Sequence, residues 1–270
     1  MGLKRSVVAR MAEQQQRART DEERHYYALN TKAWRLLAPL YDTIVFPLKR
    51  LRRDVAKLAG VGPGSLVLDV ATGTGAQAMA FAETGAEVVG IDLSESMLRI
   101  AHRKAHSRTV TFRVADAREL PFQGARFDVC CVSFGLHEMP VSVRQQALLE
   151  MARVTKKNGK LVIVDYALPE NPIASKLVYH LVKLYERDNY AEFVRSDMHA
   201  MLDRAGLAAR TEARVAPGTA MRWWSPAMIM IASKVEAPTS TGGESQATAT
   251  RHPDDLGAAR AAEVVTPTRS

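Results

Sequence analysis

Val67-Leu68-Asp69-Val70-Ala71-Thr72-Gly73-Thr74-Gly75-Ala76 is an apolar run that ends in a carboxylate, passes into a glycine loop and opens a helix near Gln77. Glycines at such a joint let a ligand approach the backbone closely, and the helix start offers it unpaired amides. Working outward, SLVLDV, AEVVGID, TVTFRV, FDVCCVSF and KLVIVDY are further strand-like runs, separated by amphipathic segments. That alternation predicts an α/β chain with a mainly parallel, doubly wound sheet covered by helices on both faces. Two more strand-like runs meet around Pro217-Gly218. A short joint of this kind favours an antiparallel pair at the C-terminal edge, giving seven strands.

Several helices between these runs are readable. Ser94 is placed to cap one carrying Met97, Leu98, Ala101 and Ala105. Another follows Pro140, carries Leu148, Met151 and Ala152, and is expected to stop near Asn158-Gly159. Long helices are expected from Pro172 to Glu186 and from Tyr190 to Ala205. Leu48, Leu51, Val55 and Leu58 form a helical stripe flanked by Lys49, Arg50, Arg52, Arg53 and Lys57. This is either a core-facing stripe with a solvated back or a basic surface for an anionic membrane.

The 270 residues, 47% hydrophobic and 24% charged, suffice for one large core. The net charge is +8, and residues 236–270 hold three arginines against five acids, so the rest carries +10. A basic body suits anionic lipid, nucleic acid or an acidic small molecule equally. Cys130 and Cys131 are adjacent on a strand and so point to opposite faces, which suits a reducing compartment better than a disulfide. No apolar stretch has membrane-span length and the N-terminal residues have no signal-peptide core, so the expected location is the cytoplasm, with peripheral contact at the inner membrane face. Residues 1–30 read as a polar extension, 31–235 as the folded domain and 236–270 as a disordered tail.

The chemistry lies in three acids, each just beyond a successive strand: Asp69, Asp92 and Asp116. Gly73, Gly75 and Ala78 also satisfy the dinucleotide fingerprint, with Asp92 nineteen residues beyond Gly73 where a ribose-binding acid belongs. Asp69 argues against a dinucleotide, because its charge would oppose a pyrophosphate in a poorly screened cleft. S-adenosylmethionine reverses that sign, carrying a sulfonium and an ammonium but no phosphate. Asp92 would then accept the ribose hydroxyls, and Asp116 the adenine amino group beside the Ala117 amide.

The stretches DVATGTG, GIDLSESML, VADARELPF, FDVCCVSFGLHEMP and EMARVTKKNGKLVIVDY resemble the successive motifs of class I S-adenosylmethionine methyltransferases, in particular the ubiquinone/menaquinone-biosynthesis C-methyltransferase branch. The likeness runs from about Tyr41 to Lys234. It implies the Rossmann-like methyltransferase fold and cofactor contacts at Asp69, Gly73, Asp92, Asp116 and Ala117, with an N-terminal aromatic lid that Tyr41 resembles. Ala71, Thr72 and Gly75 of the loop, Leu93 and Met97 beyond the second strand, and Ser133 at the end of the fourth complete the expected cofactor-binding set. Where that branch reads phenylalanine-glycine-leucine-arginine-asparagine, this chain has Phe134-Gly135-Leu136-His137-Glu138.

The resemblance implies methyl transfer to a small-molecule or lipid-like acceptor such as a quinone precursor. The alternatives are N-methylation of a phospholipid amine or another metabolite, and a catalytically silent cofactor-binding module. Nucleic acid is not expected, because FGLHEMP lacks the Asn/Asp-Pro-Pro-aromatic loop that grips a flipped base. If the reaction needs a base, His137 is the candidate. No metal site is expected. His102, His106, His180 and His199 read as surface or packing residues, and Trp223 and Trp224 either line an acceptor pocket or pack the edge hairpin.

Overall fold

The computed structural model describes residues 23–28, 48–105, 109–169, 171–183, 188–215 and 227–235. Tyr41, His106, the Pro217-Gly218 joint, Trp223, Trp224 and the 236–270 tail lie outside them. Seven strands form one sheet: β1 (Leu66–Val70), β2 (Glu87–Asp92), β3 (Val110–Val114), β4 (Phe127–Ser133), β5 (Thr155–Tyr166), β6 (Leu207–Val215) and β7 (Ala227–Lys234). Their spatial order is β3-β2-β1-β4-β5-β7-β6. β1 to β5 pair in parallel, while β7 runs antiparallel to both β5 and β6. The order reverses between β1 and β4, and ligands of open α/β sheets gather at such a switch.

The helices are α1 (23–28), α2 (Lys49–Ala59), α3 (Ala76–Ala82), α4 (Glu95–Lys104), α5 (Val141–Val154), α6 (Pro172–Lys183), α7 (Asp188–Phe193) and α8 (Met198–Arg204), with a 3-10 turn over Leu136–Glu138. Side chains alternate across the sheet as the strand period demands. Leu68, Val70, Cys130, Val132, Leu161 and Ile163 pack with Leu148, Met151, Phe193, Met201 and Leu202 from α5, α7 and α8. Val67, Val129, Cys131, Val162 and Val164 pack with Leu51, Val55, Phe81 and Leu98 from α2, α3 and α4. The two cysteines therefore belong to opposite cores. Each fully buried branched or aromatic side chain contributes about 1.5–3 kcal/mol by leaving water.

Three local expectations are revised. α5 ends at Val154 instead of near Asn158-Gly159, where Thr155 turns extended and its hydroxyl donates to the Met151 carbonyl over 2.6 Å. Asn158-Gly159 instead lies in an irregular stretch of β5, whose pairing with β4 jumps from Phe127/Thr155 to Val129/Lys160. The helix expected from Tyr190 to Ala205 is two, α7 and α8, because Ser196 Oγ donates to the Phe193 carbonyl and Asp197 caps α8 through the Ala200 amide at 3.0 Å. Leu58 is 46% exposed, and Ala56 and Ala59 complete the buried stripe of α2 in its place. Ser94 does cap α4, accepting from the Met97 amide at 3.4 Å.

Candidate functional site

A cleft opens where β1, β2 and β4 end. Its floor is the glycine loop. Ala71 (φ +54°) and Gly73 (φ +55°) take the left-handed conformation, and the Thr72 amide returns to the Ile91 carbonyl at 2.9 Å, tying the loop to β2. Phe134, on the opposite lip after β4, is also left-handed (φ +53°). Such conformations cost about 1–3 kcal/mol for residues with a Cβ and concentrate at ligand clamps. The two lips nearly touch: a Cβ on Gly135 would stand 2.9 Å from that of Ala71.

Asp69 is 1% exposed at the end of β1 and lines this cleft. Its Oδ2 accepts from the Thr72 hydroxyl at 2.5 Å, while Oδ1 is buried with no donor in hydrogen-bonding geometry. Burial pushes the carboxyl up to about 7 against the pull of the Thr72 hydroxyl, the Ala78 amide and Arg52. A buried carboxylate oxygen lacking a partner is costly by itself and is relieved by a cationic ligand. Asp92 holds the loop from the other side, with Oδ2 accepting from the Gly73 amide and Oδ1 from the Ser94 amide, both at 2.8 Å. Its pKa is raised, chiefly by burial, with the amides of Ser94, Gly73 and Leu93 opposing. Each oxygen retains acceptor capacity for a hydroxyl.

Among the expected residues, Asp69, Ala71, Thr72, Gly73, Asp92, Leu93, Met97, Ala117 and Ser133 line the one cleft. Gly75 instead starts α3, where its φ of +77° and the packing of Phe112 leave no room for a Cβ. Asp116 stands outside the lining set with its carboxylate engaged: Oδ1 accepts from the Arg118 amide at 2.9 Å and Oδ2 from the Tyr27 hydroxyl at 2.7 Å. His137 is 4% exposed and also outside it. Its Nδ1 is 2.7 Å from Asp165 Oδ1, and its ring packs edge-on against Tyr166 and Phe193.

Asp165 is fully buried in β5 and accepts from the Leu136 and His137 amides at 3.0 and 3.2 Å and from the Tyr166 amide at 2.8 Å. A carboxylate oxygen already accepting from backbone amides takes a further donor, so His137 Nδ1–H is assigned as the donor across this short contact. Arg144 of α5, also fully buried, donates to the Leu136 carbonyl at 3.0 Å and the Met139 carbonyl at 2.8 Å. The 3-10 turn after β4 is therefore pinned from two sides.

Sequence reasoning missed Tyr26, Arg52, Gln77, Phe134, Glu138 and Met139, which also line the cleft. Tyr26 is 8% exposed, and its phenol is pushed well above its usual range by burial first and by the charge of Glu138 next. The signal for it was Tyr26-Tyr27, a pair of aromatics in an otherwise polar extension.

Residues 67–159 match the family model of the methyltransferase domain. The chain is 40% identical over 138 residues to the demethylmenaquinone methyltransferase of Renibacterium salmoninarum, covering 49% of this chain and 56% of that protein. It is 36% identical over 172 residues to the ubiquinone/menaquinone biosynthesis C-methyltransferase of a Geobacter species, covering 57% of this chain and 72% of the relative. A crystal structure of a putative methyltransferase from Bacillus halodurans superposes with a TM-score of 0.55 at 25% identity, covering 68% of this chain and 98% of that one. The buried anionic floor fits the sulfonium donor of such enzymes. The chain belongs to the S-adenosylmethionine-dependent methyltransferases of class I, in the family of the ubiquinone/menaquinone biosynthesis C-methyltransferases.

Proposed function

We propose that this enzyme C-methylates the ring of a reduced, hydroxylated quinone precursor. One observation supports the acceptor assignment above others: the 36% identity to a quinone-biosynthesis C-methyltransferase across 72% of that relative's length. When bound, the cofactor supplies a methyl group on positively charged sulfur, so that in-line attack by a ring carbon replaces C–H with C–CH3, leaving a neutral thioether and one released proton.

The chain's own residues bind, orient and shield. Asp69 offers its unpartnered Oδ1 to the cationic end of the donor, and that charge match is worth most in a dry cleft. Asp92 takes the ribose hydroxyls with the lone pairs left over from Gly73 and Ser94. Leu93, Met97 and the Ala117 backbone flank the adenine, and Tyr26 covers the cleft against water. Lys49, Arg50 and Lys57 lie exposed on α2 and suit peripheral contact with an anionic membrane that carries a lipid-like acceptor.

Methyl-labelled cofactor is incubated with the protein and, separately, reduced demethylmenaquinone, phosphatidylethanolamine vesicles and RNA. Label in the quinol ring is expected. Label confined to the phospholipid headgroup, or absent from all three, overturns the acceptor assignment.

A further inference from the structure

The turn after β4 brings Phe134, Gly135, Glu138 and Met139 to the cleft, and Glu138 is the ionisable residue among them. Leu136, His137, Met139 and Pro140 are buried, whereas Glu138 is half-exposed and lines the cleft together with Tyr26. Its backbone is held from below, because Asn189 Nδ2 of α7 donates to the Glu138 carbonyl at 2.7 Å. The pins already described, Asp165 to the Leu136 and His137 amides and Arg144 to the Leu136 and Met139 carbonyls, bracket it in sequence. Five polar contacts thus fix one short turn, and the ionisable side chain it holds at the cavity is the Glu138 carboxylate. His137 is committed to Asp165 and lies behind the cleft wall.

We propose that Glu138 is the catalytic base of this methyltransferase, taking the hydroxyl proton of the acceptor. The inference rests on the cleft being the site of methyl transfer. The Glu138 carboxylate accepts the O–H proton while the ring carbon forms its bond to the methyl group and the S–CH3 bond breaks, its electron pair staying on sulfur. The acceptor is then a neutral dienone. Loss of the ring C–H proton to water, with return of the Glu138 proton to the oxygen, restores the aromatic hydroxyl and the carboxylate. One proton is released overall. Tyr26 fits beside this acid as a phenol kept protonated, able to donate to the acceptor oxygen while Glu138 accepts from it.

Among the described residues, the ionisable groups that share the cleft with Glu138 are Tyr26 from α1, Arg52 from α2, Asp69 from β1 and Asp92 from β2. Behind the turn lie His137 beside it, Arg144 from α5, Asp165 and Tyr166 from β5, and Tyr190 and Glu192 from α7. Among the described residues lining the cleft, Asp69 and Asp92 belong to the cofactor's side, which leaves Glu138 as the carboxylate on the acceptor's.

The test compares wild type, E138Q and E138D in the full chain. E138Q is expected to lower kcat by about a hundredfold, remove the acidic limb of the pH profile of kcat/KM for the acceptor at saturating cofactor, and keep cofactor affinity by calorimetry within about twofold of wild type; E138D should retain the limb at reduced rate. Binding of naphthalene-1,4-diol in the presence of S-adenosylhomocysteine, followed by fluorescence, gives a readout without turnover, and E138Q should weaken it several-fold. The pH profile is taken on whichever acceptor wild type labels, so that label in a phospholipid amine overturns the quinone assignment alone. Unchanged kcat and an intact acidic limb in E138Q overturn the base, and so does unchanged diol binding should no acceptor be labelled.

Discussion

Tyr27 donates its phenol hydrogen to Asp116 Oδ2 across 2.7 Å, with the Arg118 guanidinium 4.8 Å from the ring centroid of the same tyrosine. Arg118 also reaches Glu23 at 3.5 Å, and Glu23 accepts from Ser142 Oγ at 2.5 Å. α1 is thereby tied to the loop after β3 and to the start of α5, with Tyr26 facing the cleft. Asp116 serves as an anchor for the element that brings Tyr26 to the cleft.

Tyr27→Phe removes one bond to a carboxylate, worth about 1.5–3 kcal/mol. The loss falls on the docking of α1, since the two cores do not depend on this bond. Amide exchange within residues 23–28 should quicken by tenfold or more while the protection of β1 and β4 is unchanged. A uniform loss of protection across the sheet would show that α1 is not a separately docked element.

Asp69 makes cofactor affinity depend on pH. A carboxyl raised from 3.8 to about 7 by burial binds a proton in the folded state that the unfolded chain has released. Its contribution to stability is therefore full below about pH 4 and is lost as pH climbs through about 7. A cationic ligand wants the ionised form, so cofactor affinity should climb with pH up to about 7 and level off above it. Calorimetry at pH 6 in buffers of differing ionisation enthalpy should detect proton release on binding. Asp69→Asn should abolish that release, weaken binding at least tenfold, and flatten the decline of the ligand-free melting temperature between pH 4 and pH 7. Proton release that persists in the variant would move the titrating group elsewhere.

The strand and loop register was readable because period-2 alternation and the glycine joint are local signals, and three of the acids fell at strand ends where a parallel sheet must place them. The residues that sequence reasoning missed act over long separations. Tyr27 and Asp116 are 89 positions apart, and Asp165 and His137 are 28 apart. Nothing in KLVIVDY distinguishes an aspartate that binds a ligand from one that holds a turn, because the difference lies in which amides fold over it. Arg144 is fully buried because two turn carbonyls need donors there, and no local pattern marks it out. Glu138 was visible only as a departure from the family's pattern beside the more conspicuous His137.

Gly90 links the packing of the sheet to the site. A Cβ there would stand 2.6 Å from Phe112 Cδ1 and 2.9 Å from Thr72 Oγ1, the hydroxyl that holds Asp69. Overpacking of this kind costs about 1–3 kcal/mol. Gly90→Ala should lower the melting temperature and also weaken cofactor binding, since Thr72 must move. Adding Phe112→Leu frees the aromatic side of the clash and should recover part of the stability, but little of the affinity. Recovery of both together would mean that Thr72 had not been displaced.

His137 and Asp165 should behave as one unit. Asp165→Asn replaces an acceptor-only group, held by three amides and one imidazole N–H, with an amide that presents hydrogens of its own to donors. Leaving such buried donors unsatisfied costs about 1–3 kcal/mol apiece, so this variant should be among the least stable single changes in the chain. His137→Phe keeps the ring between Tyr166 and Phe193 and removes only the Nδ1 bond. In a double-mutant cycle by urea unfolding, the pair should show a coupling energy of about 1–3 kcal/mol. The residual cost of Asp165→Asn in the His137→Phe background then measures what the carboxylate does for the backbone amides alone. If the turn is pinned mainly through the backbone, that residual should exceed the coupling, and cofactor affinity should track it. A cycle in which the two changes are additive would mean that the 2.7 Å contact carries no net stability and that the turn holds its shape without the imidazole.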